Sequence, residues 1–166
     1  MTVEIIQEPK QFNDWAGLLA VLQQAFAYQA ERIDPPSSLN KLDAQGLAGK
    51  AGEERLFLAV EAGQVIGCIF AKLTVDAVYV GKLAVLPSRQ GRGIGRKLMQ
   101  AAEVFANGVG RRILELETRI ELTENHETFA ALGFSKVAEH AHAGYNRPTF
   151  IVMRKMLPHE QERTSE

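Results

Sequence analysis

The chain has 166 residues, with 19 Lys or Arg against 20 Asp or Glu, a formal net charge of −1, and 46% hydrophobic and 23% charged residues. This length favours one domain whose core needs no staple, and the single cysteine, Cys68, excludes an internal disulfide. Balanced charge argues against nucleic acid or an anionic membrane as the main partner, and no apolar run approaches the ~20 residues of a bilayer span.

The start, Met1-Thr2-Val3-Glu4, has neither the basic opening nor the apolar stretch of a signal peptide, so a cytoplasmic location is expected. Val3 to Ile6 reads as a short edge strand. Trp15, Leu18, Leu19, Leu22 and Phe26 recur at helical spacing, with Asn13 or Asp14 as N-cap. Arg32-Ile33-Asp34-Pro35-Pro36-Ser37-Ser38 cannot continue that helix, because proline lacks the backbone donor and displaces its predecessor from helical geometry. Leu39 to Lys50 is a weaker helix interrupted by Gly46 and Gly49. Leu56 to Glu61 and Val65 to Leu73 are strands around Ala62-Gly63-Gln64, the second apolar on both faces and therefore central. Val78 to Leu86 is a strand ending at Pro87. A helix follows from Gly93 to about Asn107, striped by Ile94, Leu98, Ala102 and Phe105, with Asn107-Gly108 as its stop. Ile113 to Thr118 is a strand, and Asn125 to Leu132 a short helix closed by Gly133. Phe134 to about His140 and Thr149 to Met156 complete the strands.

This order predicts an α/β fold: a mixed, mainly antiparallel sheet of six to seven strands with helices on both faces. Residues 1–157 form a single domain and 158–166 a polar tail.

The most informative segment runs from Leu83-Ala84-Val85-Leu86-Pro87 through Ser88-Arg89-Gln90-Gly91-Arg92-Gly93-Ile94-Gly95-Arg96-Lys97. A strand runs into a glycine turn that opens a helix. The first helical turn carries unpaired N–H groups and the positive end of the dipole. Glycine lets that backbone approach an anion, and Arg89, Arg92, Arg96 and Lys97 add charge, so the segment reads as a pyrophosphate cradle. The spacing G-x-G-x-G differs from the Rossmann G-x-G-x-x-G. No G-K-[ST] ending marks a P-loop, and a kinase glycine loop lies in a hairpin, not at a helix start. A plain glycine-rich loop is the remaining alternative. Gln90-x-x-Gly93-x-Gly95 after Leu83-Ala84-Val85-Leu86-Pro87 resembles the coenzyme A signature of the GNAT superfamily of N-acetyltransferases.

The resemblance spans about Leu56 to Met153, and Ile113 to Thr118, Asn125 and Leu132-Gly133-Phe134 look like the superfamily's second half-motif. It implies that the strands before the glycine turn and at Ile113–Thr118 splay apart around pantetheine. Backbone groups of Leu83, Ala84 and Val85 would bond the pantetheine amides. Backbone N–H groups from Gly91 through Arg92, Gly93, Ile94 and Gly95 to Arg96 would hold the pyrophosphate, after Gln90. Asn125 and the ring of Phe129 would line the pantetheine side. The implied co-substrate is acetyl-CoA, and the implied reaction is direct transfer of acetyl to the amine of a small molecule or peptide. A non-catalytic acyl-CoA-binding module, or a transferase of another acyl group or to an oxygen acceptor, are the alternatives. Homodimers are common in the superfamily, but no motif here specifies an interface.

An ammonium cannot attack a thioester, so a base must take its proton, and a backbone N–H near Leu83 to Val85 should face the oxygen that gains charge. The superfamily's usual tyrosine acid falls at Phe129, which has no proton to give. Either the thiol leaves as a thiolate, or Tyr145 or Tyr79 supplies the proton. Tyr79 also occupies the position where some members carry a strand glutamate. Glu117 is the first candidate base: strand alternation sets Glu115 and Glu117 on the face opposite Leu114, Leu116 and Thr118. Glu31 and Asp34 are alternatives. His140 and His142, with His126, lack neighbouring ligands at metal spacing, so no metal site is expected. Cys68 lies in an apolar strand and reads as core, not as a nucleophile. The resemblance implies an acceptor pocket built by Gln29–Leu39 and His140–Thr149, where Glu31 and Asp34 favour a cation and Arg32 and Arg147 a carboxylate, leaving the acceptor open.

Overall fold

The computed structural model describes residues 2–7 and 10–158, and the expected tail past Pro158 lies outside the described residues. In chain order the elements are β1 (Val3–Gln7), α1 (Trp15–Phe26), α2 (Ala44–Glu53), β2 (Arg55–Glu61), β3 (Gln64–Leu73), β4 (Val78–Val85), α3 (Ile94–Gly108), β5 (Ile113–Arg119), α4 (Thr123–Ala131), β6 (Ser135–His140) and β7 (Phe150–Met156). The strands form one seven-stranded sheet in the order β1-β2-β3-β4-β5-β7-β6. Every pairing is antiparallel except β4 with β5. The mixed, mainly antiparallel α/β architecture is as the sequence predicts.

Local chemistry explains the boundaries. Asp14 caps α1, its Oδ1 accepting from the Gly17 N–H at 3.1 Å. Ala62 and Gly63 both have positive φ, 51° and 78°, which suits a tight hairpin turn between β2 and β3. The second helix departs from expectation. Ser37 caps a separate 3₁₀ turn over Ser38–Lys41, and α2 starts only after Asp43, whose carboxylate accepts from Gly46 N–H at 2.7 Å. Asp43 sits at φ −112°, ψ 178°, outside helical geometry, so one continuous helix from Leu39 is impossible. Gly93 is the N-cap of α3, not its first residue, and the helix runs through Asn107-Gly108 to a stop made by Gly110 at φ 77°. There Arg111 N–H donates to the Ala106 carbonyl at 2.8 Å, satisfying an end carbonyl.

Strand alternation divides the core. Ile66, Ile69, Leu114 and Leu116 pack with Leu98 and Ala102 of α3, whereas Leu58, Cys68 and Phe70 pack with Leu18, Leu22 and Leu47 of α1 and α2. Leu98 is fully buried, worth roughly 1.5–3 kcal/mol against exposure. The sheet thus has helices on both faces, and its centre, between β4 and β5, is where it opens.

Candidate active site

Strands β4 and β5 pair only at Val78 with Leu114 and Tyr79 with Glu115. Beyond those rungs they part, and a cleft of about 1450 Å³ lies between them, bordered also by the end of α1, the start of α3, α4 and the 142–150 loop. Continuing the register by two residues sets Gly81 opposite Glu117 across the opening, where glycine leaves that side of the mouth without a side chain.

A bulge in β4 shapes the wall. Cys68 pairs with Ala84 but Phe70 with Gly81, so β4 carries one extra residue there. Lys82 lies in it at φ 50°, and its carbonyl accepts from the Cys68 thiol at 3.4 Å. Past the bulge, Leu86 N–H donates to Ile66 O at 2.8 Å. Antiparallel alternation then turns the main-chain groups of Ala84 toward Cys68 and those of Leu83 and Val85 toward the cleft. The expectation for Ala84 is therefore corrected: β3 already uses its backbone groups, and its side chain is buried among α1 and α2. Leu83 and Val85 do line the cleft. Gln90 Nε2 donates to Val85 O at 3.1 Å, closing the strand end.

The glycine turn is open. Gly91 and Gly93 have φ of 82° and 79°, and a Cβ placed on Gly91, Gly93 or Gly95 meets nothing within 4 Å. With Gln90 and Ile94, these glycines border the cleft, so the N–H groups at the start of α3 are free for an anion. The basic cluster differs from the sequence reading. Arg89 Nε and Arg92 donate to the buried Glu61 carboxylate at 2.8 and 3.2 Å, and Arg89 holds that carboxyl below its usual range. Two of the four cations are thus spent on fixing the turn to β2. Arg96 and Lys97 are exposed, and the side chains of Arg92 and Arg96 do not border the cleft.

Glu117, Tyr79 and Tyr145 all border the cleft. Burial raises the Glu117 carboxyl above the ordinary range, with Glu115 adding to the effect and His140 opposing it. Burial, then Glu117, Glu115 and Glu54, push the Tyr79 hydroxyl far up, so it stays protonated. Tyr145 is engaged: its hydroxyl donates to Asp34 at 2.7 Å, and Arg147 pairs with the same carboxylate at 3.1 Å. Asp34 is therefore satisfied, and neither it nor the exposed Glu31 borders the cleft. Arg32 is bound to Glu124, whose carboxyl it pulls down to about 2. Phe129 packs edge-on to Phe134 at 6.0 Å. Asn125 accepts from the Tyr28 hydroxyl at 3.3 Å across the cleft. His126 Nε2 bonds Arg119 O at 2.9 Å and His142 bonds Thr149. Among the described residues no group of three His, Cys, Asp or Glu gathers for a metal. Burial pushes the Cys68 thiol up to about 12.

Lys82, Arg119 and Tyr28 also line the cleft and escaped sequence reasoning. Gly81 inside a strand signals a bulge beside Lys82, and Arg119 follows Glu117 at the strand period of two. Tyr28 carries no local signal.

A parallel strand pair that opens beside a glycine-built helix start has the shape to receive an extended ligand with an anionic end. Residues 15–134 match the family model described as the acetyltransferase (GNAT) family, and the chain belongs to that family. An IAA acetyltransferase of Azospirillum brasilense is 29% identical over 123 residues, covering 69% of this chain and 79% of that one. The PaiA N-acetyltransferase of Thermoplasma acidophilum, solved in complex with coenzyme A, shares the fold at TM-score 0.76 and 16% identity over 94% of this chain and 99% of that one. The ribosomal-protein-S18-alanine N-acetyltransferase of Escherichia coli does so at 0.70 and 18%, over 94% of each. Among the described residues no helix is long and apolar enough to cross a membrane.

Proposed function

We propose that the chain transfers the acetyl group of acetyl-CoA directly to an amine within a ternary complex. The observation that carries this reading is the opening between β4 and β5, lined by Leu83 and Val85, whose N–H groups turn to the cleft, and ending at the open glycine turn. The residues fit the co-substrate: an extended amide-bearing arm would take the place of a missing strand, and a pyrophosphate would take the N–H groups from Gly91 to Arg96. When bound, the co-substrate supplies an activated acyl carbon and a thiol leaving group. The solved relatives with coenzyme A or acetyl-CoA add support for this ligand class.

Glu117 accepts the amine proton, directly or through water. A carboxyl raised by burial is a stronger base than a solvated one. A main-chain N–H at the bulge, near Leu83, faces the oxygen that gains charge. Phe129 offers no proton, so the thiol leaves as a thiolate or takes one from Tyr79, which stays protonated beside Glu117. Tyr145 serves less well, since its hydroxyl is committed to Asp34. Phe129 also sustains a second reading, a non-catalytic acyl-CoA sensor.

The test is thiol release from acetyl-CoA with a panel of amines, beside a melting curve with saturating CoA. Transfer predicts thiol release that depends on the amine. A sensor predicts a raised melting temperature alone. An unmoved curve and no thiol overturn both.

A further inference from the structure

We propose that the acceptor amine also carries a carboxylate, as an amino acid does, and that Lys82 binds that carboxylate while Glu117 faces the amine. This rests on the acyl-transfer reading above and names the substrate class of the same site.

The charge balance of the cleft carries the inference. Arg32 is cancelled by Glu124, and Arg89 by Glu61. What remains along the walls is Lys41, Lys82 and Arg119 against Glu117. Arg119 donates to the Pro35 and Pro36 carbonyls at 2.6 and 3.2 Å, and Glu121 and Asp34 lie near enough to act on its charge. It is fixed and partly balanced. Lys82 is different. Among the described residues its ammonium has no hydrogen bond or ion pair, and two charges that act on it, Lys50 and Glu54, are bonded to each other at 2.6 Å. Burial and Lys50 lower its pKa, so an anion at its ammonium relieves an uncompensated charge.

Position agrees with charge. Lys82 adjoins Gly81, which lies opposite Glu117 across the mouth of the opening. Lys82 and Glu117 both line the cleft where the strands part, and a molecule bearing the opposite pair, amine and carboxylate, matches both. The backbone alone does not explain a lysine here. At φ 50° glycine or asparagine fits the bulge with less strain.

The experiment titrates L-amino acids, the matching amino-acid amides and the decarboxylated amines into the full chain with and without CoA, by calorimetry, and follows thiol release with acetyl-CoA. On the wild-type chain the free acids are expected to bind at least about tenfold tighter than the amides, the worth of a charged hydrogen bond. Lys82→Met should erase that difference and Lys82→Arg should keep most of it, seen in KM more than in kcat. Equal binding of acids and amides by the wild-type chain overturns the inference, and needs no variant if Lys82→Met fails to fold. Equal losses for acid and amide in Lys82→Met overturn it too. Thiol release without preference for acids refutes the carboxylate site and leaves acyl transfer standing. Preference for acids without thiol release upholds the site and refutes transfer.

Discussion

Glu117 and Glu61 show how two carboxylates of one chain receive opposite characters from their surroundings. Glu117, raised by burial and by Glu115, must be deprotonated to act as base. kcat/KM should therefore climb with pH through a limb lying above the ordinary carboxyl range. Glu117→Gln should lose that limb and about a hundredfold or more of the rate; a variant with the wild-type profile removes Glu117 from the mechanism. Glu61, lowered by Arg89, works the other way. Its contribution to stability is present above its unfolded pKa of about 4.5 and fades as pH falls through the lower folded value. Glu61→Gln should lower the melting temperature at pH 7 and converge with wild type in strong acid. A third residue separates direct transfer from a covalent route. With its thiol near 12, Cys68 should resist alkylation in the native protein, and Cys68→Ala should keep thiol release. An acetylated Cys68 seen by mass spectrometry defeats this expectation.

At the scale of elements, α3 and its glycine turn can be tested by two neighbouring substitutions with opposite effects on the free protein. Gly95 lies inside α3 with no positive φ and no atom within 4 Å of an added Cβ. Gly95→Ala should therefore hold or raise the melting temperature, by up to ~1 kcal/mol of helix propensity, while weakening CoA binding by standing in the anion's approach. Gly93, at φ 79°, is constrained by its backbone. Gly93→Ala should cost roughly 1–2 kcal/mol of strain and weaken binding as well. Calorimetry with CoA beside thermal melts distinguishes the two, and unchanged affinity in both means the cradle lies elsewhere. The turn was legible because glycine spacing and helix onset are local properties of sequence. The rest was less so. Nothing local in Leu39–Lys50 weighs a cap at Asp43 against continuous helix. The ties of Arg89 and Arg92 to Glu61 join residues 28 and 31 apart in the chain, and periodicity does not see such distances. Gly81 marks a bulge beside Lys82, but only the register with β3 places Lys82 within it.

For the whole molecule, the opening predicts where CoA binding changes backbone protection. The amides of Leu83 and Val85, turned to the cleft, should exchange with solvent faster than that of Ala84 in the free protein, and slow when CoA is present. Uniform protection without ligand contradicts the assigned strand polarity. The opening is closed by strand pairing at one end only. The rungs Val78–Leu114 and Tyr79–Glu115 join the two strands at one end. At the other, Arg119 holds the Pro35 and Pro36 carbonyls, Asp34 N–H donates to Glu121 at 3.0 Å, and Arg32 grips Glu124. A slot joined at one end, with one wall braced by the 32–36 segment, has a set width at its root. On the proposed reading a chain as slender as a bare strand is expected to enter there and a bulkier one to be refused, so thickness as well as charge would sort carriers, which binding of CoA derivatives branched along the arm would test.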